Sequence, residues 1–173
     1  MPVYHSVFTE EGSDVCGAPL LPLKTDTRGP APNAVVGTDD IVDEAFNYFR
    51  ANVMFRQFEI DFPADRLLCY LTVYISECIR LCKAIPLKSE AKKQLFMHVK
   101  KSFKIPGENG FSLGGFFTEP KNSNEGEQMR AYLKQCREEV GKRIVDIIYT
   151  AEGDQNKYWF SFAKKKFMNI NSA

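Results

Sequence analysis

The segment from Pro63 to Pro86 limits what this chain can fold into more than any other. At its centre, Leu67-Leu68-Cys69-Tyr70-Leu71-Thr72-Val73-Tyr74-Ile75 is followed by Ser76-Glu77-Cys78-Ile79-Arg80-Leu81-Cys82. The apolar residues cover nearly every direction of a helical wheel, so the segment is enclosed on all sides. Its β-branched and aromatic residues suit a strand, but it is about twice the usual strand length and carries helix punctuation at both ends. Pro63 fits a first turn and Asp65 lies near the positive end of the dipole. Arg80 and Lys83 lie near the negative end, before Pro86 stops the run. The segment therefore reads as a helix over about 63–85, roughly 30 Å long at about 1.5 Å per residue. Arg66, Glu77 and Arg80 bracket an uncharged run shorter than the about 20 apolar residues of a membrane span. It is a core helix that other elements must wrap.

A chain of 173 residues with 44% hydrophobic content is long enough to enclose such a helix in one domain. The expected organisation is a single helical domain over 1–173, with an extended arm at 1–37 and a helical body at 38–173. Its 23 basic and 22 acidic residues are spread along the chain, so bulk charge points to no nucleic acid. The start, Met1-Pro2-Val3-Tyr4-His5-Ser6, lacks the basic and apolar stretches of a secretory signal, which implies a cytoplasmic protein. Cys16, Cys69, Cys78, Cys82 and Cys136 form no CxxC pair and read as reduced thiols. Cys78 and Cys82 could share a helical face as metal ligands, but in the most apolar helix they read as small core residues.

The arm holds Pro2, Pro19, Pro22, Pro30 and Pro32 with Gly12, Gly17, Gly29 and Gly37, which excludes a long helix. It also holds Tyr4, Val7, Phe8, Leu20, Leu21 and Leu23, too much apolar surface for a solvated linker, so it is expected to lie extended against this body or a partner. Thr38-Asp39-Asp40 offers caps for a helix from about Ile41 to Asn52 with Ile41, Val42, Ala45, Phe46 and Phe49 on one face. Phe55 to Phe62 reads as an extended connection or a short strand. After Pro86, Ser89 is the expected cap of a third helix. Ala91, Leu95, Phe96 and Val99 form its apolar stripe, against Lys92, Lys93, Lys100 and Lys101. A fourth helix is expected from about 124–127 to Tyr149, on Met129, Tyr132, Leu133, Cys136, Val140, Ile144, Ile147 and Ile148. In it Gly141 costs about 1 kcal/mol relative to Ala and suits a close helix crossing. A short terminal helix is expected from Tyr158 to Met168, with Lys164, Lys165 and Lys166 near its negative end. The fold class is thus all-α, about five helices with the central one buried.

Motifs for chemistry are scarce. The loop from Ile105 to Phe117 is glycine-rich, but it holds no GxxxxGK[ST] sequence. Phe111, Phe116 and Phe117 instead suggest aromatic anchors on a turning backbone, packed into the core or into a partner. No GxSxG or HExxH sequence is present, and His5 and His98 are far apart. Glu77, placed in the apolar helix, is the one candidate for a perturbed carboxylate; a wet edge or pairing with Arg80 is the plainer account. No cofactor or metal is implied.

Ten blocks then carry a resemblance. They are Met1-Pro2-x-Tyr4-His5-Ser6, Leu20-Leu21-Pro22, Gly29-Pro30-Ala31-Pro32, Asp40-Ile41-Val42-Asp43-Glu44-Ala45 and Ala51-Asn52-Val53, then Ala64-Asp65-Arg66 and Tyr74-Ile75-Ser76-Glu77-Cys78. Pro106-Gly107-Glu108-x-Gly110-Phe111, Met129-Arg130-Ala131-Tyr132-Leu133 and Phe167-Met168-Asn169 complete the set. In this order the chain resembles the family of subunit 3, the roughly 21 kDa subunit, of the actin-related protein 2/3 complex. The match is thinnest over 7–18 and 84–104.

The resemblance implies an all-helical fold, no catalysis, and no ATP bound by this chain. It implies a structural subunit of an assembly that nucleates branched actin filaments. The partners would be the other subunits, chiefly actin-related protein 3, and the filament at the branch, with neither nucleic acid nor membrane. The implied location is the actin cytoskeleton, at the cell cortex, in lamellipodia or in actin patches. Expected partner anchors are Tyr4 and His5 in the arm, Phe111, Phe116 and Phe117 in the glycine loop, and Trp159 and Lys166 near the end. Two alternatives remain. One is a peripheral membrane domain using Lys92, Lys93, Lys100, Lys101 and Lys104, and the other an enzyme using Glu77, His98 or a thiol.

Overall fold

A computed structural model of the chain describes residues 3–9 and 14–170, so Met1 and Pro2 of the first block lie outside the described residues. The helices are α1 (Ile41–Asn52), α2 (Ala64–Lys83), α3 (Lys88–Val99), α4 (Ser123–Ile148) and α5 (Lys157–Phe160). A 3-10 turn follows at Phe167–Asn169, and a small hairpin, β1 (Asp14–Val15) with β2 (Ala18–Pro19), precedes them all. The fold is mostly helical, and the hairpin corrects the all-α expectation. Cys16 and Gly17 form its turn with φ of 54° and 84°, the positive values that a tight two-residue hairpin requires. Asp14 Oδ1 accepts the Gly17 N–H at 2.8 Å, and Glu125 of α4 accepts the Cys16 N–H at 2.9 Å.

α2 is the centre. Fifteen of its residues are buried, including Leu67, Leu68, Leu71, Ile75, Cys78 and Ile79 at the deepest level. α1 and α4 pack along it, β2, α5 and the 3-10 turn close other sides, and α3 lies against α4. Each large apolar side chain so enclosed contributes about 1.5–3 kcal/mol. The buried polar groups of α2 are satisfied: Thr72 Oγ1 donates to the Leu68 carbonyl at 2.7 Å and Ser76 Oγ to the Lys165 carbonyl at 3.0 Å. All five cysteines are free and buried; burial pushes the Cys16 and Cys82 thiols up to about 11, and those of Cys69, Cys78 and Cys136 higher still. Among the described residues no helix is long and apolar enough to cross a membrane.

Helix ends follow local chemistry. Asp40 caps α1, its side chain accepting the Asp43 N–H at 3.0 Å while Asp43 accepts the Asp40 N–H at 3.1 Å, a reciprocal capping box. Asn122 caps α4 by accepting the Glu125 N–H at 2.9 Å. α3 begins two residues earlier than a cap at Ser89 would place it: Leu87 is the cap position and no side chain caps it. On α3, Ala91, Leu95 and Val99 are buried, as their spacing predicts, but Phe96 is 61% exposed and lies under the Lys100 ammonium, 3.8 Å from its ring centre.

The terminal helix is shorter than its sequence pattern suggests. α5 stops at Phe160 because other parts of the fold claim the backbone beyond it. Ser76 and Arg80 of α2 hold the Lys165 carbonyl, and the Met168 N–H donates to the Phe55 carbonyl at 3.2 Å. Met168 and Asn169 then turn through the left-handed region at φ of 50° and 58°, where a helix cannot continue.

The segment before α1 lies over α1, α2 and α4. Leu21 and Leu23 are buried, and the Tyr132 hydroxyl of α4 donates to the Leu21 carbonyl at 2.9 Å. Gln135, itself buried, accepts the Ala31 N–H at 3.0 Å and donates to the Thr27 carbonyl at 2.8 Å.

Candidate docking surface

The expected anchors fall in three places. In the first, residues 4–7 run across the ends of α1 and α2 on backbone hydrogen bonds. Buried Asn52 accepts the Tyr4 N–H and donates to the Tyr4 carbonyl, both at 2.9 Å. Glu44 Oε2 accepts the Val7 N–H at 3.0 Å. Asp65, wholly buried at the start of α2, accepts the N–H groups of Ser6 at 2.7 Å, Asp61 at 2.9 Å and Phe62 at 3.2 Å. The same carboxylate lies 2.8 Å from His5 Nδ1, so His5 donates from that nitrogen, while its Nε2 faces Asp61 at 3.2 Å. The His5 ring rests on Phe58, and half-exposed Tyr4 stacks on Tyr48 with ring centres 5.0 Å apart. Three buried side chains, Asn52, Glu44 and Asp65, thus fasten the backbone of this corner from beneath.

In the second place, Trp159 packs its ring on Phe49 of α1 at 5.9 Å, and the Arg50 guanidinium sits 5.0 Å from the Tyr158 ring and 5.8 Å from that of Trp159. Lys166 is exposed on the rim of a hollow of about 360 Å³ lined by Met54, Phe55, Arg56, Lys164 and Lys165. Arg56, Lys164, Lys165 and Lys166 set four cations around this hollow.

The third place is the glycine loop. Gly107 and Gly110 adopt φ of 89° and 91°, and a Cβ at Gly107 would stand 2.8 Å from Pro120, so only glycine fits the turn there. Phe117 is buried; Phe111 packs edge-on against it at 5.5 Å and lies along Tyr70 of α2 at 6.4 Å. Phe116 is half-buried, and its carbonyl accepts a hydrogen bond from Arg66 Nε. Phe117 thus supports the loop from inside, leaving Phe111 and Phe116 partly open.

Glu77 and His98 meet in space, which their spacing in the chain did not suggest. His98 Nε2 is 3.1 Å from Glu77 Oε1 and its Nδ1 is 3.3 Å from the Tyr74 hydroxyl. Arg80, the partner that the helical spacing offered Glu77, goes instead to Ser76 Oγ at 2.9 Å. No group of three His, Cys, Asp or Glu among the described residues could hold a metal ion. Sequence reasoning passed over Arg50, Tyr48 and Tyr158, although an aromatic pair at 158–159 beside a helical Arg is a signal for a cation stacked on rings.

A family model described as P21-Arc, the ARP2/3 complex ARPC3 (21 kDa) subunit, matches residues 1–171. The chain is 45% identical over 170 residues to actin-related protein 2/3 complex subunit 3 of Arabidopsis thaliana, covering 97% of this chain and 98% of that one. It is 42% identical over 172 residues to the subunit 3 of Dictyostelium discoideum, with 96% and 98% covered, and 41% identical over 172 residues to that of Schizosaccharomyces pombe, with 98% of each covered. The chain therefore belongs to the family of the ARP2/3 complex ARPC3 (21 kDa) subunit, a family of structural subunits and not of enzymes.

Proposed function

We propose that this chain is a non-catalytic subunit of an actin-related protein 2/3 complex in the actin cytoskeleton, docking chiefly on actin-related protein 3 and supporting the junction of a branched filament. Family membership along nearly the whole chain carries this reading. The surface agrees with it in kind: protein interfaces draw most of their affinity from a few aromatic and Arg anchors inside a polar rim. Tyr4 with Tyr48, Trp159 with Tyr158 and Arg50, and Phe111 with Phe116 supply such anchors. His5 fixes the arm corner and Phe117 the loop, each from beneath. Lys166 and its basic neighbours supply charge that steers an acidic surface into place.

Deleting the arm would also strip partners from Asn52, Glu44 and Asp65, so side-chain variants test the reading better. Complex reconstituted with Tyr4→Ala or Lys166→Glu should retain the folded chain while its retention or its branching rate falls several-fold. Stoichiometric recovery of the wild-type chain with two actin-like subunits is the expected control. Recovery of the wild-type chain only as a lone monomer would overturn the reading.

A further inference from the structure

Arg137 of α4 is 7% exposed, and its Nε has no hydrogen-bond partner. Its guanidinium lies over two rings, 4.2 Å from the centre of Tyr74 and 4.5 Å from that of Phe103. Its Nη1 makes only a 3.5 Å contact with the Tyr70 hydroxyl. A buried cation with an unmet donor is costly, and native chains keep few such groups.

A small pocket, of about 30 Å³, lies against this residue. Arg137, Tyr70, Tyr74, Lys104, Ser112 and Glu77 supply its polar lining, with Phe103 and Phe111 beside them. One water needs about 10–15 Å³ measured this way, so the space suits two waters or one carboxylate and excludes a nucleotide or a lipid. Lys104 and Arg137 set two cations against one carboxylate, Glu77, which acts on Arg137 through its charge and is engaged by His98 Nε2 at 3.1 Å. Burial pushes the Tyr70 hydroxyl up to about 12 against the pull of Arg137, so it stays protonated and able to donate. A planar fork flanked by hydroxyl donors matches the geometry of a carboxylate.

We infer that this pocket, between α2, α4 and the glycine loop, receives one aspartate, glutamate or C-terminal carboxylate from a neighbouring protein subunit, with Arg137 as its receptor. The inference rests on the proposed function, since it needs a subunit to dock there. It also gives the half-open Phe111 a purpose, as the apolar lip beside the incoming carboxylate.

Two variants and one spectrum test it. Arg137→Met keeps the stem and volume but removes the cation, and Ser112→Leu fills the mouth while leaving Arg137 in place. Each full-length variant is reconstituted into the complex and its dissociation followed across a salt titration, with the unfolding midpoint of the same chain measured beside it. The expected result is at least tenfold weaker retention for both variants with an unchanged or raised midpoint. In the wild-type chain, the Nε–Hε resonance of Arg137 should shift on adding acetate at constant ionic strength, and Ser112→Leu should abolish the shift. A midpoint lowered in Arg137→Met with retention unchanged in Ser112→Leu would make Arg137 an internal prop and overturn the inference. An acetate shift with full retention of Ser112→Leu would mean that a free small anion, not a subunit, fills the pocket, and no shift at all would mean a hydrated void. Should Arg137→Met not fold, Ser112→Leu and the spectrum decide. If the wild-type chain itself fails to join the complex, the proposed function fails first, which separates the two outcomes.

Discussion

Arg143 of α4 closes on Asp40, the cap of α1, with two parallel hydrogen bonds, Nη1 to Oδ1 at 2.8 Å and Nη2 to Oδ2 at 2.9 Å. The same guanidinium reaches Asp43 at 3.1 Å, Glu139 at 3.2 Å and the Lys24 carbonyl at 2.8 Å. One side chain thereby ties the arm, α1 and α4 together. Asp40 is buried, so removing Arg143 leaves a carboxylate without its main counter-charge. Arg143→Leu should cost about 3 kcal/mol in urea denaturation at pH 7.

The same pair sets an acid response. Burial alone raises the Asp40 pKa, but the bonds from Arg143 and from the Lys24 and Asp43 N–H groups outweigh it and hold the carboxyl at about 2, against an ordinary 3.8. The unfolded chain binds that proton first, so the contribution is complete above pH 3.8 and is lost as pH falls towards 2. In wild type about 2 kcal/mol should disappear across that window. Arg143→Leu should lose much less there, which paired denaturation curves at pH 4.5 and 2.5 would show.

Glu44 should respond with the opposite sign. It is buried, Oε1 has no partner, and burial, reinforced by Asp65, raises its pKa against the bonds from Ser6 and Val7. The folded chain takes up this proton at a higher pH than the unfolded one, so acidification through the raised pKa favours folding. Glu44→Gln titrates in neither state. It should lie within about 1 kcal/mol of wild type at pH 7, and the comparison should shift towards wild type on lowering the pH to 5.

Gly141 marks where α3 meets α4. A Cβ there would stand 2.9 Å from Cγ1 of Val99, a stiff β-branched side chain. The helix propensity of alanine returns about 1 kcal/mol, and overpacking costs about 1–3 kcal/mol. Gly141→Ala should therefore be neutral to destabilising by about 2 kcal/mol. Adding Val99→Ala should make the Gly141→Ala change stabilising, a coupling that a double-mutant cycle reads directly.

Gln135 holds the proline-rich stretch with both ends of its amide, and a Cβ on Gly29 would overlap its side chain. Gln135→Ala should cost about 1–2 kcal/mol. Its signature in hydrogen exchange should be local: faster exchange at the Ala31 and Leu23 amides, with those of α2 unchanged.

The parts of the fold that were legible are those where one helix face decides burial. The all-round apolar wheel of 67–79 predicts the enclosure of α2, and the cap candidates at Thr38-Asp39-Asp40 predict the start of α1. Distant partners decided the rest. Nothing within 157–168 shows that Ser76 and Arg80 will take the Lys165 carbonyl, so the terminal helix looks longer in sequence than it is. The 91, 95, 99 stripe was readable, whereas Phe96, one step round the wheel, stays outside under Lys100. The anchors split likewise: the glycines marked the aromatic loop, but not that Phe117 is buried while Phe111 lies along Tyr70, far away in the chain. Arg137 left a signal that went unread, since it sits four residues after Leu133 and three before Val140, on the stripe that the apolar residues mark as buried.

The stretch that precedes α1 is made well before α4, yet Leu21, Thr27, Ala31 and Asp40 wait for Tyr132, Gln135 and Arg143. At about 5–20 residues per second those roughly 100 intervening residues take on the order of 5–20 s to make. Until then Leu21, Leu23, α1 and α2 lack the cover that α4 supplies. Order in the chain and order of closure are thus opposed: the hydrogen bonds that fasten the arm can form only once α4 has been made.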